Sequence, residues 1–221
     1  MIGGLLPPIL LSLKIAVIAS LFVFALAATT ARKMARIDFP GKSVLETALL
    51  LPLVLPPSVV GFVLLAAFGR RSPIGRAFES LFGLPIVFTW GSAVLAAVVV
   101  AYPLAYRTMK AGFESVDPEL EQSARAAGAG EWQVFRYISV PLASRALTAG
   151  YILGFARGLG EFGATLMIAG NIPGRTQTIP TAIYVAVDGG RTAQAWAWAG
   201  TIALISFAML WFAERAGRDR T

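Results

Sequence analysis

The sequence predicts an all-α integral membrane protein of about five transmembrane helices, possibly six, and three observations carry that expectation. Of 221 residues, 57% are apolar and only 14% charged, with a mean hydropathy of +0.70. That is greasier than a soluble domain of this length tolerates. The apolar residues also gather into runs of the roughly 20 residues that a hydrocarbon layer about 30 Å thick requires. Finally, most charges lie in clusters between those runs.

Taken in order, the runs are residues 9–31, interrupted only by Lys14; 43–68, with Glu46 near its start; 86–106; 146–169, with 141–145 leading in from the surface; and 194–213. A single membrane domain over 1–221 accounts for them. The stretch 178–187 is about half the length of a span, so a short re-entrant or external helix is expected there. The beginning of the chain lacks a basic leader and its first run is long for a signal peptide, so that run is expected to stay as an anchor. Pro52, Pro56 and Pro57 remove backbone donors inside the second run. That helix should kink or break there and face protein or water, where the freed carbonyls find partners.

Charge placement orients the chain. With the 32–42 and 107–137 segments and the tail on one side, that side holds eleven basic residues against five in the 70–76 and 171–191 segments. The positive-inside rule then puts the C-terminus in the cytoplasm and the N-terminus outside. Arg70, Arg71 and Arg76 lie on the wrong side for the rule. The net charge of +7 is explained by topology, which removes the case for nucleic acid as a partner. The chain has no Cys and no His, so disulfides, thiolate metal sites, thiol nucleophiles and the commonest general base are excluded. No catalytic residue, cofactor or metal is expected.

The 107–137 loop reads as two short helices joined by a glycine turn. Asp117 suits the N-cap and Pro118 the first helical position, while Glu119 and Glu121 complement the positive end of the dipole. Leu120, Ala124 and Ala127 share one face, and Gly128 is placed to end the helix in a left-handed conformation. Trp132, Phe135 and Ile138 follow at i, i+3 and i+6 as an aromatic knob. Apolar surface on preformed short helices suits docking of another protein. Anchoring of Trp132 and Phe135 among lipid headgroups is the alternative.

The same loop carries a resemblance. Inner-membrane permease subunits of binding-protein-dependent ABC importers have Glu-Ala-Ala, three residues, Gly, nine residues, Ile, any residue, Leu-Pro. This chain reads Gln122-Ser123-Ala124, Gly128, Ile138 and Val140-Pro141 at every interval. It departs at Gln122 for Glu, with Glu121 just before it, at Ser123 for Ala and at Val140 for Leu. The resemblance implies an ABC importer permease fold, in which Asp117, Leu120, Glu121, Gln122, Ala124, Gly128, Trp132, Phe135 and Pro141 form the coupling segment that fits a groove of separate ATP-binding subunits. Further stretches, Phe39-Pro40-Gly41-Lys42, Leu51 to Pro57, Gly160-Glu161-Phe162-Gly163-Ala164-Thr165 and Asn171 to Pro180, look like the molybdate branch, with sulfate permeases nearest to it. What this likeness implies is molybdate as substrate, tungstate as co-substrate, a periplasmic or extracellular molybdate-binding protein as partner, and a bacterial inner membrane as location.

Other residues are candidates for the pathway. Gly150, Gly154 and Gly158 form a ridge on the fourth run that Ala146 extends, and tight helix packing is its simplest use; a close pair at a dimer axis is the functional version. Arg157 and Glu161, four apart at membrane depth, can neutralise each other and shape the field of a pathway, or form a self-compensated structural pair. Pro56, Pro57 and Thr165 are placed beside them, and Thr178 at an outer gate or binding-protein contact.

Two rival functions follow the same residues. No phosphate-binding Gly-x-x-x-x-Gly-Lys-Ser/Thr pattern is present, so ATP hydrolysis has to come from a partner. Five spans enclose a pathway poorly, which calls for a second copy of the chain. An ATP-independent secondary transporter would couple through deep carboxylates, and only Glu161 lies deep. A sulfate, thiosulfate or other oxyanion importer remains the alternative substrate reading.

Overall fold

The computed structural model of the protein describes residues 4–218; residues 1–3 and 219–221, including Arg220 of the basic tail, lie outside the described residues. Among the described residues four helices are long and apolar enough to cross a membrane, or five if one sharply bent pair counts as a span.

Helix α1 (Leu6–Arg36) opens on Pro7 and Pro8 and ends with Lys33 and Arg36 in its last turn. It is longer than the 9–31 run because the chain stays helical past the last apolar residues, through Arg32, Lys33 and Arg36. Ala16, Ala19, Val23, Ala27 and Ala31 recur along one buried face, and these small side chains let α1 lie against α5 (Trp90–Glu114) and α8 (Val140–Leu159).

The second run is not one helix. It divides into α2 (Lys42–Val54) and α3 (Pro57–Phe68), bent by 113°. Pro56 sits at the break with φ −53° and ψ 135°, an extended conformation that the following Pro57 imposes on it. Helix α4 (Pro73–Phe82) comes next, capped by the Ser72 hydroxyl.

Two further boundaries differ from expectation. Residues 86–89 are not helical: α5 begins at Trp90 behind a Thr89–Ser92 capping box. At its other end α5 runs on to Glu114, into what the sequence suggested was loop, because Met109 and Phe113 are fully buried and keep that face inside. The short helix α6 (Pro118–Ala126) and the single turn α7 (Glu131–Val134) follow. A π turn (Phe135–Ser139) then joins α7 to α8 without a break, giving one helical rod from Glu131 to Leu159.

The fourth run is interrupted as well. It ends at Leu159, loses its helix over 160–162 and resumes as α9 (Gly163–Ala169). Gly158, Gly160 and Gly163 weaken the helix there. Helix α10 (Ile179–Asp188) is ten residues long, or about 15 Å, too short to cross. It packs through Ile179, Ala182 and Ala186 on Ala195 and Trp198 of α11 (Thr192–Arg218). The apolar flank of α11 formed by Leu204, Phe207 and Leu210 is exposed.

Candidate functional site

The loop after α5 is built as a rigid projection. Asp117 accepts a hydrogen bond from the Glu119 N–H at 2.9 Å, and Pro118 occupies the first helical position. At the far end Gly128 has φ +90°. Its N–H donates to Arg125 O at 2.9 Å and that of Ala129 to Ala124 O at 3.0 Å, the paired bonds of a Schellman ending. The Gln133 side chain accepts from the Gly130 N–H at 2.8 Å and steadies the next turn, while Arg125 pairs with Glu131 across the corner.

The residues expected to dock divide into two sets. Leu120, Gln122, Gly128 and Pro141 are exposed and Ala124 is half-buried. Trp132 is 71% exposed and its ring lies tilted against Phe135 at 5.5 Å, which in turn leans on Phe113 at 6.4 Å. A cleft of about 370 Å³ runs between Gly128 and Tyr137 beside this knob. The π turn lies just before Pro141, with the Val140 N–H reaching back five residues to Phe135 O; the wider turn accommodates a residue that has no N–H to give.

Glu121 corrects the expectation. Read as a helix-dipole partner on a docking face, it is instead 2% exposed and turned inward, so its carboxylate cannot meet a partner. It accepts from Arg36 Nη2 at 3.0 Å, Arg32 Nη2 at 3.1 Å and the Ser139 hydroxyl at 2.8 Å. Burial raises its pKa, but Ser139, Arg32 and Arg36 outweigh that and hold it below the ordinary glutamate value. The signal was in the sequence: Arg32, Arg36 and Glu121 are charges at the ends of neighbouring helices, but nothing in the spacing says that they meet.

The two helix breaks lie against each other. Glu161 Oε1 accepts from the Ala164 N–H at 2.8 Å and caps α9, while Oε2 accepts from Arg157 Nη1 at 2.6 Å. Gly163 faces the other break: a Cβ there would lie 3.1 Å from Pro57 Cβ and 3.3 Å from Ser58 N. One turn further, a Cβ on Gly61 would stand 2.7 Å from Ala164 Cα, so α3 and α9 touch backbone to backbone. Thr165 is buried on α9. Thus Pro56, Pro57, Arg157, Glu161 and Thr165 are drawn into one region.

The glycine ridge is used inside the subunit. A Cβ on Gly150 would lie 2.7 Å from Met109 Cγ, and one on Gly154 3.1 Å from Val23 Cγ1, so the ridge seats α8 on α5 and α1 and does not face a dimer axis. Thr178, expected at an outer gate, is buried, and its N–H donates to Thr181 Oγ1 at 2.8 Å in the cap of α10.

At the end opposite the loop after α5 lies a hollow of about 680 Å³ lined by Lys14, Arg70, Trp90, Arg175 and Thr176 among others. Lys14 Nζ stands 3.7 Å from the centre of the Trp90 ring, and Arg70 pairs with Glu79 of α4. No motif pointed to it, because its cations come from three distant segments.

A family model described as the inner membrane component of binding-protein-dependent transport systems matches residues 24–219. The chain belongs to that family. The permease is therefore a multi-pass inner-membrane transport component and not an enzyme. It is 52% identical over 208 residues to the putative molybdenum transport system permease protein YvgM of Bacillus subtilis, covering 94% of this chain and 92% of that one. It is 45% identical over 219 residues to the molybdenum transport system permease protein ModB of Escherichia coli K12, covering 95% and 96%. A probable sulfate transport system permease protein of Chlorokybus atmophyticus is 34% identical over 68% of this chain and 52% of its own. Among solved structures, a bacterial alginate ABC importer matches at TM-score 0.78 and 16% identity, over 97% of this chain and 79% of that one. The MetNI methionine ABC transporter matches at 0.76 and 14%, over 100% and 98%. These two show that the permease has the fold of ABC importer membrane subunits.

Proposed function

We propose that the permease is the membrane subunit of an ATP-driven importer that carries molybdate, with tungstate as a co-substrate, into the cytoplasm. The observation that carries the substrate is the 52% and 45% identity to permeases named for molybdenum transport, along more than nine-tenths of their lengths. The geometry supplies the machine. A stiff projection with an exposed Trp132 stands at one end, two broken helices meet in the middle, and a cation-lined hollow opens at the other end.

In this reading two copies pair so that ten spans enclose the pathway. The α1 N-terminus faces outward, because its basic last turn is bound to the coupling loop through Glu121 and that loop meets the ATP-binding subunits in the cytoplasm. A molybdate-binding protein delivers the anion at the outer face. Closure of the ATPases draws the two projections together, and the rod from Glu131 to Leu159 transmits the displacement to the break at 160–162. Arg157 there can offer donors to a passing oxyanion without trapping it, since Glu161 already offsets its charge.

The test is uptake of labelled molybdate into vesicles. Uptake that needs the permease, the ATP-binding subunits and the binding protein together is expected; uphill uptake by the permease alone would overturn the proposal. The weaker likeness to sulfate permeases defines the competing reading, so excess tungstate should compete with molybdate and excess sulfate should not.

A further inference from the structure

Glu121 is buried on a helix of nine residues whose neighbouring positions Leu120 and Gln122 are both exposed. Its one carboxylate gathers groups from three elements: Arg32 and Arg36 from the last turns of α1, Arg125 from α6 at 3.6 Å, and Ser139 from the π turn that feeds α8. Arg36 Nη2 also donates to Val116 O at 2.9 Å, fixing the start of the loop. Removing that carboxylate would leave two guanidinium groups facing each other in a partly closed site, an arrangement far costlier than an exposed pair lost to water.

The opposite end of α1 is also fastened. Ser12 Oγ accepts from the Ile179 N–H of α10 at 2.8 Å, Leu5 O accepts from Trp198 Nε1 of α11 at 3.2 Å, and Lys14 rests on Trp90. Between its two fastened ends α1 contains no glycine, and no proline after its first turn; its 31 residues span about 46 Å. A helix without a hinge, tied at both ends to different machinery, moves as a unit.

We propose that Glu121 is a positioning residue that clamps the coupling loop to α1, so that α1, beside α8, is a second rod carrying the loop's displacement to α10 and α11 on the outer face. This rests on the coupling role given to the loop under the proposed function. Because coupling free energy is reciprocal, events at the outer face would return to the ATPases by the same route.

The chain has no cysteine, so a Lys33→Cys and Glu119→Cys pair carries two spin labels, one on α1 and one on α6, with no background. In the complete transporter with its ATP-binding subunits and binding protein, the distance between the labels is expected to be the same without nucleotide and with a non-hydrolysable ATP analogue. In Glu121→Gln it should change or broaden on adding the analogue, and molybdate taken up per ATP hydrolysed should fall about fivefold or more. Glu121→Asp should recover part of that ratio. A nucleotide-dependent distance in the parent would overturn the clamp, and that measurement stands even if Glu121→Gln fails to assemble. An assembled Glu121→Gln transporter with the parent's distance and uptake ratio would overturn it as well. Uptake in the parent that ignores ATP would instead strike the importer reading itself.

Discussion

Gly128 shows how one residue fixes the shape of the coupling projection. Its φ of +90° belongs to a backbone region that costs a side chain about 1–2 kcal/mol, and a β-branched residue suffers most. A Cβ at this position would meet nothing within 4 Å, so the penalty is conformational and local. Gly128→Val is therefore expected to leave membrane insertion intact while weakening co-purification with the ATP-binding subunits; undiminished co-purification would remove the turn from the docking role. The sequence made this glycine legible through its spacing from Asp117 and the knob behind it. Glu121, seven residues earlier, was legible as a charge near a helix N-terminus and as part of the motif segment, but not as a buried residue. Its burial depends on where the last turn of α1 ends, and no local pattern encodes that contact.

At the scale of elements the apolar runs foretold where the long helices lie, but proline and glycine decided where they break. Pro56 and Pro57 forecast the break of the second run, where two adjacent residues lack an N–H, whereas Pro52 is carried inside α2 without ending it. The break at 160–162 was hidden: Gly158 reads as the end of a packing ridge with Gly150 and Gly154, and only the Glu161 carboxylate bound to the Ala164 N–H reveals a new helix start. The continuity from Glu131 to Leu159 was hidden too, since a π turn leaves no sequence period of its own. The contact of α3 with α9 makes a direct prediction. In Gly61→Ala one added atom stands 2.7 Å from Ala164 Cα, and overpacking of this kind costs about 1–3 kcal/mol. The apparent melting temperature of the purified permease should fall. Gly200→Ala, on an open stretch of α11 with nothing within 4 Å, should not lower it. Equal effects at the two sites would mean that the broken helices do not rely on this contact.

For the whole molecule, the charges that spoiled the positive-inside count find their place on α4 and in the turn just before it. Ser72 caps it, and Ile74, Phe78, Leu81 and Phe82 are exposed at the spacing of a single apolar face, while Arg70 reaches back to Glu79. Such a helix has the pattern of one that lies in a membrane interface; on that reading Arg76 on it and Arg70 and Arg71 just before it do not vote on orientation in the way that loop charges do. The remaining count then favours a cytoplasmic coupling loop more strongly than the raw sequence did. Orientation can be read directly, because any cysteine introduced into this chain is its only one. With Gly174→Cys, on the turn beside the cation-lined hollow, a membrane-impermeant thiol reagent should label intact cells. With Gln122→Cys, on the exposed face of α6, the same reagent should label only after the membrane is opened. The reverse pattern would place the coupling loop outside, where no ATP-binding subunit could grip it, and the energy for transport would have to enter by another route.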